Sequence, residues 1–254
     1  MPNPVVQRSP DGWIAPVWKA VWYLLTSIPI GEEYRKTLQL RHAINLSKGL
    51  TFPVMFLLIL WYNRLTTVTA AYAAIHGSYG VLWLVKEELY RDASWETPCT
   101  LGSAVTLVIG MSIMFWTSPY LLITGGEGVE PGPIQLCFIL TLFIFGNWLH
   151  HSSDVQKYFV LQAKRGLITN GLFSRCRNPN YLGEMMIYGS FAGFSINHEL
   201  YWVPWIYLFI IWSGLFLPSW LAKDKSMSRY KEWSEYTSRS GLILPWPFSV
   251  KSNA

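Results

Sequence analysis

The stretch Arg175-Cys-Arg-Asn-Pro-Asn-Tyr-Leu-Gly-Glu184 carries the densest chemistry in the chain. It sets a carboxylate, Glu184, inside what otherwise reads as an apolar membrane helix, and such a charge is costly and usually functional. Asn178-Pro179 reads as a helix start, with Asn to cap free amides and Pro at the first helical position. Asn180, Glu184 and Tyr188 then recur every four residues on one face, with Tyr181 at its border. Arg175 and Arg177 stand just before the start. A helix N-terminus beside two guanidiniums suits a phosphate-bearing cofactor, and an amide and a carboxylate one turn deeper suit the polar head of a ligand. Blander readings exist for the flanks: Asn178-Pro179 as a plain cap, the arginines as border charges. Glu184 has no such reading short of an interior pair.

Two further groups stand upstream. His150, His151, Asp154, Gln156 and Lys157 precede Lys164 and Arg165. Adjacent histidines point in different directions on a helix, and no third ligand is spaced to join them, so no metal site is expected. Asp154 and Lys157, three apart, either pair with each other or line a cofactor mouth. The second group is His76-Gly-Ser-Tyr-Gly80 with Lys86-Glu-Glu88, Arg91 and Asp92. Tyr79 is a candidate proton donor and His76 a neighbour on the same helix. A buried His or Tyr also commonly just satisfies a hydrogen bond. Lys86 to Glu88 can equally mark the end of a span.

The elements that must hold these residues are membrane helices. Charged residues make up 14% of the chain against 51% hydrophobic, and mean hydropathy is +0.23. A soluble domain carries about 25% charged residues. An all-α polytopic bundle is expected, with about six spans: Leu50–Tyr62 (its start lying nearer Ile44 if the short run is extended), Val68–Val85, Thr100–Ile123, Ile134–Leu149, Tyr181–Ile196 and Tyr201–Leu221. Residues 1–49 form a cytoplasmic or interfacial N-terminal segment and 50–254 the membrane domain. Trp13–Ile30 holds Pro16, Lys19 and Pro29 and reads as an interfacial helix, and Ser226–Tyr236 as another. Gly241 ends the latter, and Leu244-Pro-Trp-Pro247 forbids further helix.

Charge sorting supports this path. With the N-terminus inside, every one of the 20 Lys and Arg except Arg64 falls on the inner side, as the positive-inside rule requires. Both termini are therefore expected on the cytoplasmic side of an endoplasmic reticulum, other organelle or bacterial inner membrane. The same sorting accounts for the net charge of +5 without nucleic acid. Three dispersed cysteines give no disulfide framework. A channel is disfavoured, since only one acid lies clearly within a span.

Four strings carry a family resemblance: Asp154-Val-Gln-Lys157, Gly166-Leu-Ile-Thr-Asn-Gly-Leu-Phe173, Arg177-Asn-Pro-Asn-Tyr-Leu-Gly-Glu184, and Trp233-Ser-Glu-Tyr236 followed by Leu244-Pro-Trp246. Together they resemble the C-terminal half of the steroid 5α-reductase superfamily, and most closely its DUF1295 branch. His76–Asp92 with Ser94-Trp-Glu96 extends the likeness over residues 65–247. The resemblance implies a cytosol-facing cofactor cavity, a lipid-side substrate cavity, and NADPH as hydride donor to the β-carbon of an enone-like lipid, sterol or polyprenyl substrate. By motif position it implies that Asn180 and Glu184 contact the nicotinamide nucleotide and that Asp154 lies near the adenosine or ribose. Tyr236 lies in the matching tail, with Lys225 and Arg229 on its cofactor-facing stretch. Lys157, Arg175, Arg177 and Tyr181 complete the expected cofactor set, and Tyr79, Glu184 and His76 the catalytic one. Related reductases and the isoprenylcysteine and phospholipid methyltransferases often read Arg-His-Pro where this chain has Asn178, and the 5α-reductase Gln-Glu substrate pair has no counterpart. Two alternatives follow: methyl transfer from S-adenosylmethionine, and a retired enzyme acting as a subunit of a membrane assembly.

Overall fold

The computed structural model describes residues 10–31 and 34–245. Eight helices carry the fold: α1 (Ile14–Thr26), α2 (Leu40–Trp61), α3 (Thr67–Leu89), α4 (Leu101–Thr124), α5 (Pro133–Ala163), α6 (Pro179–Gly193), α7 (Trp202–Met227) and α8 (Trp233–Arg239). Five of them, α2 to α5 and α7, are long and apolar enough to cross a membrane. A helical membrane bundle is what the composition calls for. Among the described residues one small sheet pairs β1 (Leu38–Gln39) with β2 (Pro98–Cys99), antiparallel.

The fifth expected span is the exception in length. At 15 residues, α6 is about 22 Å long, short of a full hydrocarbon core. The turn after it is tied to the α4–α5 loop: Asn197 donates to the Glu130 carbonyl (3.0 Å) and pairs with Gln135 near the start of α5. At its other end the Asn180 carbonyl meets His150 Nδ1 at 3.2 Å. This expected span is thus a short helix packed lengthwise against α5 and is not among the five helices long enough to cross. Close packing of that pair depends on Gly183, where a Cβ would lie 2.5 Å from the His150 backbone nitrogen.

One end of the bundle is stapled across three loops. Arg64 Nη2 approaches Glu130 Oε1 at 3.5 Å, Thr66 Oγ1 donates to the same oxygen at 2.7 Å, and Asn197 holds the Glu130 carbonyl. The lone basic residue of this side is therefore neutralised by its acids.

Three helix boundaries differ most from the sequence expectation. The largest difference is in the fourth span, expected to end at Leu149, which runs on to Ala163 and so carries His150, Asp154 and Lys157 on its last turns. The first span starts at Leu40, since residues 40–49 continue into the apolar run. That brings Lys48 inside the bundle, 2% exposed. The last span runs on to Met227, and the following surface helix covers Trp233–Arg239 instead of Ser226–Tyr236. Trp13–Ile30 does form a helix, α1, too short at 13 residues to cross. Trp246 and Pro247 fall outside the described residues.

The core is aromatic. Tyr72, Tyr79, Phe115, Phe143, Tyr188, Phe191 and Phe216 pack where α3 to α7 converge. Leu208 and Trp220 close it from α7.

Candidate functional site

Inside the bundle four polar side chains close on one another. Lys48 Nζ donates to Tyr79 Oη at 2.6 Å. Tyr79 Oη lies 3.0 Å from Tyr188 Oη, and Tyr188 donates to Glu184 Oε1 at 2.8 Å. Lys48 Nζ stands 3.8 Å from that same carboxylate oxygen. Each member comes from a different place in the chain: Lys48 from α2, Tyr79 from α3, Glu184 and Tyr188 from successive turns of α6. Trp83, one turn along α3 from Tyr79, lays its ring 3.2 Å from Lys48 Nζ and donates its indole N–H to Asn45 Oδ1 at 3.0 Å. An ammonium over an indole face is attracted by the ring quadrupole, more strongly where water is excluded.

A second polar layer lies nearer the basic end. Lys86 pairs with Asp154, and His150 Nε2 comes within 3.8 Å of the same carboxylate. Lys86 Nζ is also 4.5 Å from the Trp83 ring, so both lysines contact this one indole. Further out, Lys157 donates to Asp92 Oδ2 at 2.6 Å, and Tyr90 Oη meets His151 Nδ1 at 2.9 Å. Asp92 lies just beyond α3. Burial raises its carboxyl, but the Lys157 ammonium and the Ser94 amide and hydroxyl outweigh that and hold it well below the usual carboxylate range.

Along this strip several buried polar atoms have no hydrogen-bond partner: Glu87 Oε1, His150 Nε2, His151 Nε2, Asp154 Oδ1 and Asn180 Oδ1. Native proteins rarely leave such atoms unpaired, and each costs about 1–3 kcal/mol. They are concentrated on α3, α5 and the start of α6.

The start of α6 serves a different purpose from the one its sequence suggests. Asn178 makes no side-chain cap. Its amide nitrogen donates to the Leu242 carbonyl at 3.0 Å, and its amide oxygen accepts from Lys223 at 3.2 Å. Arg177 binds Asp224 at 3.1 Å and the Ser240 carbonyl at 2.5 Å. Tyr236 donates to the Phe173 carbonyl at 2.7 Å. These bonds clip the C-terminal tail onto the loop before α6. Burial pushes the Tyr236 phenol up to about 12 and the Cys176 thiol beside it up to about 11.

The expected site residues therefore divide. Tyr79 and Glu184 come together in one polar cluster. His76 does not join them: its hydrogen bond goes to Tyr72 Oη (2.9 Å), and its ring stacks on Phe191 at 3.9 Å. Asp154 and Lys157 do not pair with each other; each takes a partner on the α3 side. Asn180 lies beside them. Tyr181 packs on Phe216 and Trp220, with Lys223 over its ring at 4.9 Å. Arg177 and Tyr236 are fastened to the tail, Lys225 reaches Asp11 (2.5 Å), Arg229 bonds Ser226 and Tyr230 on the surface, and the Arg175 side chain is exposed. Sequence reasoning missed Lys48, because Lys48-Gly49 reads as the border of a span. The signal was the uninterrupted Ile44–Leu60 run, polar only at Asn45, Ser47, Lys48 and Thr51.

The sequence model of the DUF1295 family, described as proteins of unknown function, matches residues 37–240. The chain belongs to the DUF1295 family. No curated protein and no solved structure matches it. The DUF1295 region spans α2 to α8, so Lys48, Tyr79, Asp154, Asn180, Glu184 and Tyr188 all fall within it.

Proposed function

We propose that this DUF1295 protein is an integral-membrane reductase that uses NADPH to saturate a double bond conjugated to a carbonyl in a hydrophobic lipid, of the sterol or polyprenyl kind. The observation that carries this reading is the Tyr79 phenol, 1% exposed, set between an ammonium and a carboxylate inside an apolar bundle. A phenol so placed can polarise a carbonyl oxygen and deliver a proton where bulk water does not reach.

The residues fit the cofactor. The unpartnered Asn180 and Asp154 oxygens are acceptors for amide and hydroxyl donors, and Lys157 and Lys223 supply cationic charge at the basic border. Bound NADPH would supply a hydride for the β-carbon of the conjugated system. Tyr79 holds the carbonyl oxygen and gives up the balancing proton. Glu184 fixes Tyr188 and counters Lys48. The surrounding aromatic core excludes water. Charge sorting favours a cofactor side facing the cytoplasm, with both termini there.

The test is binding of NADPH and of S-adenosylmethionine to the detergent-purified full-length protein, with Asn180→Ala and Glu184→Gln alongside. NADPH binding that weakens at least tenfold in the variants is expected. Preference for S-adenosylmethionine would move the assignment to methyl transfer. Binding of neither by folded protein would favour a subunit of a membrane assembly.

A further inference from the structure

We propose that Lys48 is the positioning residue that aims Tyr79 and restores its proton after each turnover, an assignment that rests on the reductase reading above.

Counting hydrogens fixes the direction of the cluster. A phenol has one hydrogen to give. Tyr188 spends its hydrogen on Glu184 at 2.8 Å. Tyr79 has two acceptors within reach for its own hydrogen, Tyr188 Oη at 3.0 Å and Glu184 Oε1 at 3.4 Å. Tyr79 in turn accepts from Lys48 at 2.6 Å. Donation runs from Lys48 through Tyr79 into the Tyr188–Glu184 pair, and the 3.8 Å approach of Glu184 to Lys48 closes the loop. Such a circuit holds the Tyr79 hydrogen pointing away from Lys48, and a substrate oxygen has only to replace Tyr188 or Glu184 as its acceptor.

The chemistry then balances. Hydride from NADPH forms the new C–H bond at the β-carbon, and the cofactor is oxidised. The Tyr79 O–H bond breaks, and its proton goes to the substrate. Lys48 passes one ammonium proton to the phenolate oxygen and is left as the amine. It regains a proton from solvent by way of Glu184, whose side chain is 14% exposed against 3% for Lys48. One solvent proton is consumed per turnover.

The fold is built around this lysine. The Lys48 carbonyl sits so close to α3 that a Cβ on Gly80 would lie 2.3 Å from it. Only glycine permits that approach, and it brings Lys48 level with Tyr79. Trp83 then offers its ring to the ammonium while Asn45, one turn earlier on α2, fixes the indole. A lysine buried among apolar helices is expensive. Three separate contacts hold this one against the phenol.

The experiment uses the full-length protein in lipid nanodiscs with NADPH and a series of α,β-unsaturated ketones and aldehydes, from cyclohexenone to a polyprenal. Wild type, Lys48→Arg and Lys48→Met are compared for NADPH affinity and for rate as a function of pH. Expected are NADPH affinities within threefold of wild type in both variants and a rate at least tenfold lower in Lys48→Met. The wild-type rate should fall on the alkaline side as the ammonium is lost. That limb should vanish in both variants, since Met carries no proton and the guanidinium of Lys48→Arg neither titrates nor gives one up. A merely structural lysine would change stability without moving the limb. If Lys48→Met does not fold, the limb in Lys48→Arg decides. Wild-type turnover with an unaltered pH profile in the variants overturns this assignment alone. A wild type that neither binds NADPH nor turns over overturns the reductase reading and this assignment with it.

Discussion

Glu184 and Tyr188, one helical turn apart on α6, are joined by a 2.8 Å hydrogen bond, so the carboxylate buried in a span is held first by its own helix. Its remaining partners come from elsewhere: Lys48 on α2 and Tyr79 on α3. A local bond thus presets the acid, and the tertiary fold brings the base and the phenol to it. Removing one partner of a buried ion pair leaves the other uncompensated, at a cost of about 3–5 kcal/mol, whereas removing both costs less. Glu184→Gln and Lys48→Met should each lower the unfolding midpoint in detergent, and the double variant should be more stable than the sum of the two losses predicts. Additive losses in this double-mutant cycle would show that the two residues do not interact.

Gly183 tests the seam between α5 and α6. Its added Cβ would meet the His150 backbone at 2.5 Å, which no side-chain rearrangement relieves, whereas Gly110 on α4 has open space. Overpacking of this kind costs about 1–3 kcal/mol. Gly183→Ala should lower thermal stability markedly and Gly110→Ala should not. Equal midpoints for the two variants would contradict the close approach.

Much of the fold was legible in the sequence, because membrane helices declare themselves by length, apolarity and the sorting of Lys and Arg. Glu184 was legible too, as an acid in an apolar run. Lys48 was not: next to Gly49 a lysine looks like a border residue, and only the α2–α3 contact at Gly80 shows it to be interior. Asn178 misled in the other direction. Asn before Pro is a good cap by propensity, but here the tail carbonyl of Leu242 and the Lys223 ammonium compete for its amide and win. Partners more than forty residues away are invisible to local pattern.

Asp92 should make stability fall in acid. Its folded carboxyl is held below its unfolded value, so the contribution is complete above about pH 4 and is lost as pH drops toward the folded value. Thermal midpoints measured from pH 7 downward should fall less steeply in Asp92→Asn than in wild type. Parallel profiles would show that the Lys157 pair contributes nothing. Loss of its charge-assisted hydrogen bond should cost about 1.5–3 kcal/mol near neutral pH.

The three free cysteines should differ in reactivity. Cys137 is exposed, while Cys99 and Cys176 are buried, and burial holds the Cys176 thiol up at about 11. Only the thiolate reacts. At pH 8 in detergent, maleimide should label Cys137 quickly and Cys176 only after unfolding, as peptide mass mapping would read. Rapid labelling of Cys176 in native protein would mean that the tail clip formed by Arg177, Asn178 and Tyr236 is open.

The most direct measurement follows the transferred hydrogen. Full-length protein in nanodiscs is given NADPH deuterated at its transferring carbon together with an α,β-unsaturated lipid ketone, and the product is examined by mass spectrometry and NMR. The account predicts one deuterium at the β-carbon, with Tyr79→Phe lowering its formation at least tenfold. A saturated product without deuterium, or no product from protein that binds S-adenosylmethionine instead, would contradict it.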